Sequence, residues 1–240
     1  MNILSVDSSS KTASVAINKD EKTLVEIFLN TGLVHSKTLV PTIKSTIKYS
    51  GLSIEDIDLF SVTSGPGSFT GIRIGMSVIK GMMFALDKPC IPVSSLEVLA
   101  FNALNICDGI ICSCLDFRRG NLYNCLFKGD EKKLIRLTDD RNISTDELLR
   151  ELKNYNQKIY FVGDHEQLCY NSWINGLSSE NFYILKDSFC SIKASNLGLL
   201  AYRKYIDNRN VAMDDLYPNY LNLSQAEKQR RENSLTKGVK

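Results

Sequence analysis

Apolar and polar positions alternate along the first thirty residues in short runs. NILSVD (2–7), TASVAIN (12–18) and TLVEIFL (23–29) read as strands, parted by the polar turns SSSK and Lys19-Asp20-Glu21-Lys22. The period then lengthens. Leu39, Ile43 and Ile47 share one face of a helix from Ser36 to Ser50, with Pro41 in its second turn. IDLFSVT (57–63) predicts a buried strand, 69–81 a helix and 88–93 a short strand. A further helix follows a Ser94 N-cap, with Glu97 at the capping-box position. The predicted order is βββαβαβα.

The second half repeats that order. GIICSCLD (109–116), NLYNCLF (121–127) and KLIRLT (133–138) predict another meander, with turns at Arg118–Gly120 and Gly129-Asp130. A helix from Ser144 to Lys153 carries Glu147 in capping-box register. IYFVG (159–163) and NFYIL (181–185) predict strands, a helix is expected near 165–175, and Ile192 to Ile206 predicts an amphipathic helix. Two copies of a βββαβα unit make an α/β fold of two mixed sheets flanked by helices. The expected units are 1–105 and 106–225, followed by a charged tail at 226–240.

One stretch stands apart from this pattern. Ser64 to Gly81 reads SGPGSFTGIRIGMSVIKG: a turn, an N-cap position at Ser68, and a helix with Gly67, Gly71 and Gly75 in one stripe. Each helical glycine costs roughly 1 kcal/mol against alanine, so something must come close enough to offset it. A phosphate, the chain's own sheet, or a second helix would each do so. The phosphate motifs fail by spacing. Ile72-Arg73 follows Gly71 where a Walker loop needs Lys-Ser/Thr, and Gly65, Gly67 and Gly71 do not fit G-x-G-x-x-G.

Composition narrows the classes further. Of 240 residues 43% are hydrophobic and 23% charged, as in globular proteins, and the net charge of +2 gives no strong footprint for nucleic acid or membrane. The N-terminus lacks the basic start of a signal peptide, and no run is expected to match the ~18 apolar residues of a spanning helix. Seven cysteines, scattered and mostly within apolar runs, read as buried thiols of a reducing cytoplasm. Cys112 and Cys114 share a strand face, but a metal site would need more ligands nearby, and His35 and His165 are the only histidines; a Ser–His–Asp triad would have to use one of them, and no serine sits in a G-x-S-x-G elbow.

Candidate chemistry is sparse. Asp7 ends the first strand before Ser8-Ser9-Ser10, where a carboxylate could hold Mg²⁺ and hydroxyls could cradle phosphate; an Asx-turn explains the same residues. Asp116, Arg118 and Arg119 form a charged knot at a strand end, suited to an anion or a partner's carboxylate, or to a solvated hairpin turn.

ILSVDSSS, HSKTLVPTIK, SGPGSFTGIRIGMSVIKGM, PVSSLEVLA, LDFRRGNLY and YPNYLNLSQAE occur in the order seen in the bacterial TsaB (YeaZ) family, which the chain resembles from residue 3 to about 228. Asn121 and Asn222 depart from the family pattern, which has an acid and an Arg there. The resemblance implies a duplicated actin-like/Hsp70 ATPase fold (ASKHA, ribonuclease H-like). It implies a cytoplasmic, non-catalytic subunit in forming N6-threonylcarbamoyladenosine at position 37 of tRNAs reading codons that begin with A. TsaC-type enzymes would supply threonylcarbamoyl-adenylate. The implied partners are a TsaD-like catalytic subunit and a TsaE-like ATPase, with tRNA met indirectly and no membrane. TsaD-like proteins place two metal-binding histidines four apart on the helix after the glycine helix and its strand; the matching Val93–Ala100 has none.

The expected docking face combines helices 36–50 and 69–82 through His35, Leu39, Ile43, Gly67, Phe69, Gly71, Ile72, Arg73, Gly75 and Met76, with the glycine stripe admitting a partner's helix. The same face could form a homodimer when the chain is alone. No cofactor of its own is expected; ATP or ADP would sit at the junction with the partner, and Asp7 and Ser8 are the weak candidates for contact. A glycoprotease-like peptidase, a sugar- or acetate-kinase-like enzyme, and a peptidoglycan-related or regulatory binding role are the alternatives.

Overall fold

In the computed structural model the described residues are 1–118, 120–130, 133–163, 181–186, 189–207 and 216–221. They form two mixed sheets. The first joins β1 (Asn2–Asp7), β2 (Ala13–Lys19), β3 (Lys22–Leu29), β4 (Leu59–Gly65) and β5 (Cys90–Ser94) in the order β3-β2-β1-β4-β5. β1, β2 and β3 pair antiparallel, while β4 runs parallel to β1 and β5 parallel to β4. The second joins β6 (Ile110–Arg118), β7 (Asn121–Asp130), β8 (Lys133–Arg136), β10 (Ile159–Gly163) and β11 (Phe182–Ile184) in the order β11-β10-β6-β7-β8. Strand for strand this is the first sheet again, with the same parallel and antiparallel pairings. β9 (Arg141–Ser144), which no apolar alternation announces, pairs with the start of β7. β7 runs through Gly129 and Asp130, where a turn is expected, because both residues keep ladder partners in β8. The helix expected near 165–175 and the tail at 226–240 lie outside the described residues.

Of the helices α1 (His35–Ser50), α2 (Phe69–Leu86), α3 (Ser95–Phe101), α4 (Thr145–Leu152) and α5 (Ala194–Asp207), three begin at an N-cap serine whose hydroxyl satisfies an orphan N–H group. Ser68 accepts from Gly71 N, Ser94 from Glu97 N, and Ser144 from Glu147 N within a full capping box. At Ser94 the box is incomplete. The Glu97 carboxylate turns instead to Lys204 (2.9 Å) and Arg136 (3.3 Å).

α1 and α2 cover the outer face of the first sheet, where Leu39, Ile43, Ile72, Met76, Ile79 and Met83 meet Leu4, Val6, Phe60 and Val62. α4 covers the outer face of the second. Between the sheets lie α3 and α5, and they are exchanged: α3 follows β5 yet packs on β6 and β7, and α5 follows β11 yet packs on β1 and β2. Leu96, Leu99, Leu197 and Ala201 thereby join Ile3 and Leu59 of one sheet to Ile111 and Phe127 of the other in one core. Each fully buried Leu or Ile there contributes about 2 kcal/mol of apolar burial.

α2 corrects one expectation. By length and composition its eighteen residues are apolar enough to cross a membrane. Its buried stripe, however, is seated on the sheet, and Arg73 interrupts its outer face.

Candidate functional site

The β1–β2 turn is the polar centre of the first sheet. Asp7 is fully buried at the end of β1. Its Oδ1 accepts from Thr63 Oγ1 (2.7 Å), Ser9 Oγ (2.6 Å) and Ser9 N (3.0 Å), while Oδ2 is buried without a partner. Burial raises the Asp7 pKa; hydrogen bonds from Ser9 and Thr63 and the nearby His35 oppose that only in part. Ser95 Oγ donates to Ser9 Oγ (3.0 Å), so the start of α3 closes the cluster.

The neighbouring glycines hold this turn against α2. Ser9 O accepts from Ser68 N (2.7 Å) and Ser8 Oγ donates to Gly71 O (2.8 Å). A Cβ on Gly67 would lie 2.2 Å from Ser9 O, and one on Gly71 would lie 2.0 Å from Ser8 O. A Cβ on Gly75 would lie 2.5 Å from Ser8 Oγ. Absence of a side chain at these positions lets α2 lie directly on the turn. This corrects the expected role of Gly67, Gly71 and Gly75: the close approach is to the chain's own backbone, so a partner's helix has no access to the stripe. Asp7 and Ser8 are corrected on the same ground. The Ser9 N–H and the hydroxyls of Ser8, Ser9 and Ser10 are engaged within the chain, and Asp7, Ser8 and Ser9 are buried.

Four more of the expected docking residues belong to the core. Leu39, Ile43, Ile72 and Met76 are all at most 3% exposed. His35, expected at the rim, is half-buried and its Nε2 donates to Ser10 O (2.8 Å), tying the start of α1 to the turn. Phe69 and Arg73 do reach the surface. The Arg73 guanidinium lies 3.8 Å over the Phe69 ring, and its Nε donates to Tyr220 Oη (2.7 Å). Tyr220 in turn packs on Phe69, with ring centroids 4.8 Å apart.

Tyr220 belongs to a strap, residues 216–221, that no periodicity revealed. Leu216 is buried in the α1–α2 core, Asn219 N donates to Ser64 O (2.7 Å), and Asn219 Nδ2 reaches Asp140 (3.3 Å). Asp140 also accepts from Ser94 Oγ (2.7 Å) and pairs with Arg136 (2.6 Å), so the strap, α3 and the second sheet meet at one carboxylate.

What α1 and α2 turn outward is a different set. On α1 it is Lys37, Val40, Pro41, Lys44 and Lys48; on α2 it is Arg73, Ser77, Gly81 and Phe84, the last 69% exposed. The spacing that marks Leu39 and Ile43 as one face marks Val40 and Lys44 as its opposite. Which face stays exposed is decided by the sheet.

At the other candidate sites Asp116 is exposed near the end of β6. Arg118 enters the β6–β7 ladder opposite Asn121, and Arg119 lies outside the described residues. Cys112 and Cys114 place their sulfurs 3.7 Å apart in the core, both touched by Asn124 Nδ2. Burial pushes the Cys112 thiol well up, which disfavours the thiolate a metal needs. Among the described residues no group of three His, Cys, Asp or Glu side chains could hold a metal ion.

A family model described as TsaD, tRNA N6-adenosine threonylcarbamoyltransferase, matches residues 31–229. The chain belongs to this family. Its curated relatives include TsaB proteins. The tRNA threonylcarbamoyladenosine biosynthesis protein TsaB of Bacillus subtilis is 29% identical over 95% of this chain and 96% of its own length. The Escherichia coli protein of the same name is 26% identical over 92% and 94%. Two Pseudomonas aeruginosa structures share the fold. YeaZ gives a TM-score of 0.76 at 19% identity, covering 92% of this chain and 99% of that one. An uncharacterized protein described as similar to peptidase YEAZ gives 0.79 at 20%, with the same coverage. The repeated strand order and these neighbours give the fold that YeaZ shares: two mixed sheets of the same order, flanked by helices. The TsaB (YeaZ) family is involved in tRNA threonylcarbamoyladenosine biosynthesis.

Proposed function

We propose that the chain is a non-catalytic, activating subunit for the formation of N6-threonylcarbamoyladenosine at position 37 of tRNAs reading codons that begin with A. It docks beside a TsaD-like catalytic subunit, with a TsaE-like ATPase completing the set, acts in the cytoplasm and meets tRNA through its partner. The observation that carries the reading is the start of α3. Where TsaD-like proteins are expected to place their metal-binding histidines, this helix presents Leu96, Val98, Leu99 and Ala100, each 0% exposed. Its two serines cap the helix and close the Asp7 cluster. Apolar side chains cannot ligate a metal ion, and the space they fill is core.

The docking face is the outward side of α1 and α2, with Val40, Arg73 and Phe84 in place of the glycine stripe and the buried aliphatics. Exposed apolar side chains such as Val40 and Phe84 suit a protein surface. With the Ser8-Ser9 turn closed, ATP or ADP is held at the junction with the TsaD-like subunit.

Reconstitution tests this. TsaC-, TsaD- and TsaE-like proteins, ATP, threonine, bicarbonate and unmodified tRNA should yield the modified nucleoside only when the chain is added, while the chain with threonylcarbamoyl-adenylate and tRNA alone should yield none. Modification by the chain alone would overturn the non-catalytic assignment, and full modification without it would overturn the activating one.

A further inference from the structure

Two rings of hydrogen bonds lie one residue apart above the end of β1. On β4, Thr63 donates its hydroxyl to Asp7 Oδ1 (2.7 Å), and the carbonyl oxygen of the next residue, Ser64, accepts from Asn219 N (2.7 Å). At the start of α3, Ser95 donates to Ser9 Oγ (3.0 Å), and the residue before it, Ser94, donates to Asp140 Oδ2 (2.7 Å). Asn219 Nδ2 donates to that same oxygen (3.3 Å), while Arg136 pairs with Asp140 Oδ1 (2.6 Å). Gly65 leaves room for the strap, since a Cβ on it would lie 3.0 Å from Asn219 O. The inner ring of Asp7, Ser9, Thr63 and Ser95 belongs to the first half of the chain alone. The outer ring needs the second half as well. Asp140 comes from the connection between β8 and β9, and Asn219 from the strap.

From this arrangement we infer that Asp140 and Asn219 form a latch that roofs the Asp7 cluster and, by opening, admits water to it. Burial deepens along that line. Asn219 lies at the surface, the Asp140 side chain is 7% exposed, and Asp7, Ser8 and Ser9 are at most 1% exposed. The Asp7 carboxyl itself gives the latch a second state. Its Oδ2 has no hydrogen-bond partner among the described residues, and a buried unpaired acceptor favours any opening that lets water reach it. The latch opposes that opening with bonds to a carboxylate, which are stronger than those between neutral groups. Opening strands no other group. Arg136 keeps the Glu97 carboxylate (3.3 Å), and Ser94 Oγ still accepts from Glu97 N (3.4 Å), so the charge stays paired and α3 stays capped. The device sits between the two halves of the chain and is independent of the docking proposed above.

Amide hydrogen exchange of the full chain, resolved by residue, is the test. Two amides report on the roofed turn without touching the latch: Ser9 N–H, bonded to Asp7 Oδ1, and Ser68 N–H, bonded to Ser9 O. Asp140→Ala removes the bonds to Ser94, Asn219 and Arg136 together. It should speed exchange at both amides by about tenfold or more, with the core amides of β1 and β2 within about twofold of wild type. Asn219→Ala is a surface change that keeps the backbone bond to Ser64. It should speed the same two amides by about two- to threefold, and it decides the matter if Asp140→Ala does not fold. Tyr220→Phe loosens the strap only at Arg73 and should leave the turn at its wild-type rate. Faster exchange confined to the strap and the start of α3, with Ser9 and Ser68 unchanged, would overturn the latch. Equal acceleration in every strand would overturn it too, as global destabilisation. So would Tyr220→Phe acting as strongly as Asn219→Ala, which would reduce the latch to packing of the strap.

Discussion

Ser8 Oγ donates to the carbonyl oxygen of Gly71 at 2.8 Å, across a contact in which a Cβ on Gly71 would lie 2.0 Å from the Ser8 carbonyl oxygen. The turn after β1 and the first turns of α2 are thus one packed unit, and the three glycines of α2 and its lead-in should respond to substitution in different ways.

Gly71→Ala should destabilise the protein by about 1–3 kcal/mol, because the added carbon meets backbone that can move only with the strand behind it. It should do so against the gain of roughly 1 kcal/mol in helix propensity. Gly75→Ala meets only the Ser8 hydroxyl, at 2.5 Å, and should be milder. Adding Ser8→Ala to Gly75→Ala should recover part of that loss. Gly81, with nothing within 4 Å, should become more stable as alanine by about 1 kcal/mol. Thermal melts of the four variants check the ranking.

The buried Asp7 predicts a pH signature. Its folded pKa is raised by burial, so the native state holds this proton more tightly than the unfolded chain does. The contribution of Asp7 to stability is therefore fully present below its ordinary carboxylate pKa and declines as pH rises from there to the folded value. Relative to Asp7→Asn, which cannot ionise, the wild type should lose ground as pH climbs through that window. The difference in melting temperature between the two, measured from pH 4 upward, should grow and then level off. A difference independent of pH would show that Asp7 titrates in the folded chain as it does in the unfolded one.

Glu26 on β3 caps the start of α5. Its Oε1 accepts from Ser195 N (3.0 Å) and Ser14 Oγ (3.0 Å), and its Oε2 from Ser195 Oγ (2.8 Å). Because α5 comes from the second half of the chain and packs on the first sheet, this carboxylate pins the exchange of helices. Glu26→Ala should cost about 1–2 kcal/mol, in the range of a lost helix cap. Hydrogen exchange should show the start of α5 opening more readily than the strands beneath it.

Val40→Asp and Phe84→Asp should leave the unfolding free energy within about 0.5 kcal/mol of wild type, as exposed substitutions do. Both should abolish binding to the TsaD-like subunit. Leu39→Asp, one position along α1 from Val40, should unfold the protein, and this contrast separates the docking face from the core.

Much of this architecture was legible in the sequence. The apolar period found every described strand but β9, and the hydroxyls at Ser68, Ser94 and Ser144 marked their helices, because caps and periodicity are local properties of the chain. Three things were not. The glycines at 67, 71 and 75 announce that something comes close without saying what, and the answer, Ser8 and Ser9, lies some sixty residues away across a parallel strand pair. The amphipathic pattern of α1 separates Leu39 from Val40 but cannot say that the outer helix layer leaves Val40 uncovered. The strap at 216–221 is held by single contacts, Leu216 in a core and Tyr220 on Arg73, and carries no period at all.

The central claim concerns a modified nucleoside, and the most direct measurement is mass spectrometry of bulk tRNA nucleosides after depletion of this chain in its own host. Threonylcarbamoyladenosine should fall and should return when the wild-type chain is restored, but not when Phe84→Asp is. An unchanged level of threonylcarbamoyladenosine in depleted cells would contradict the account.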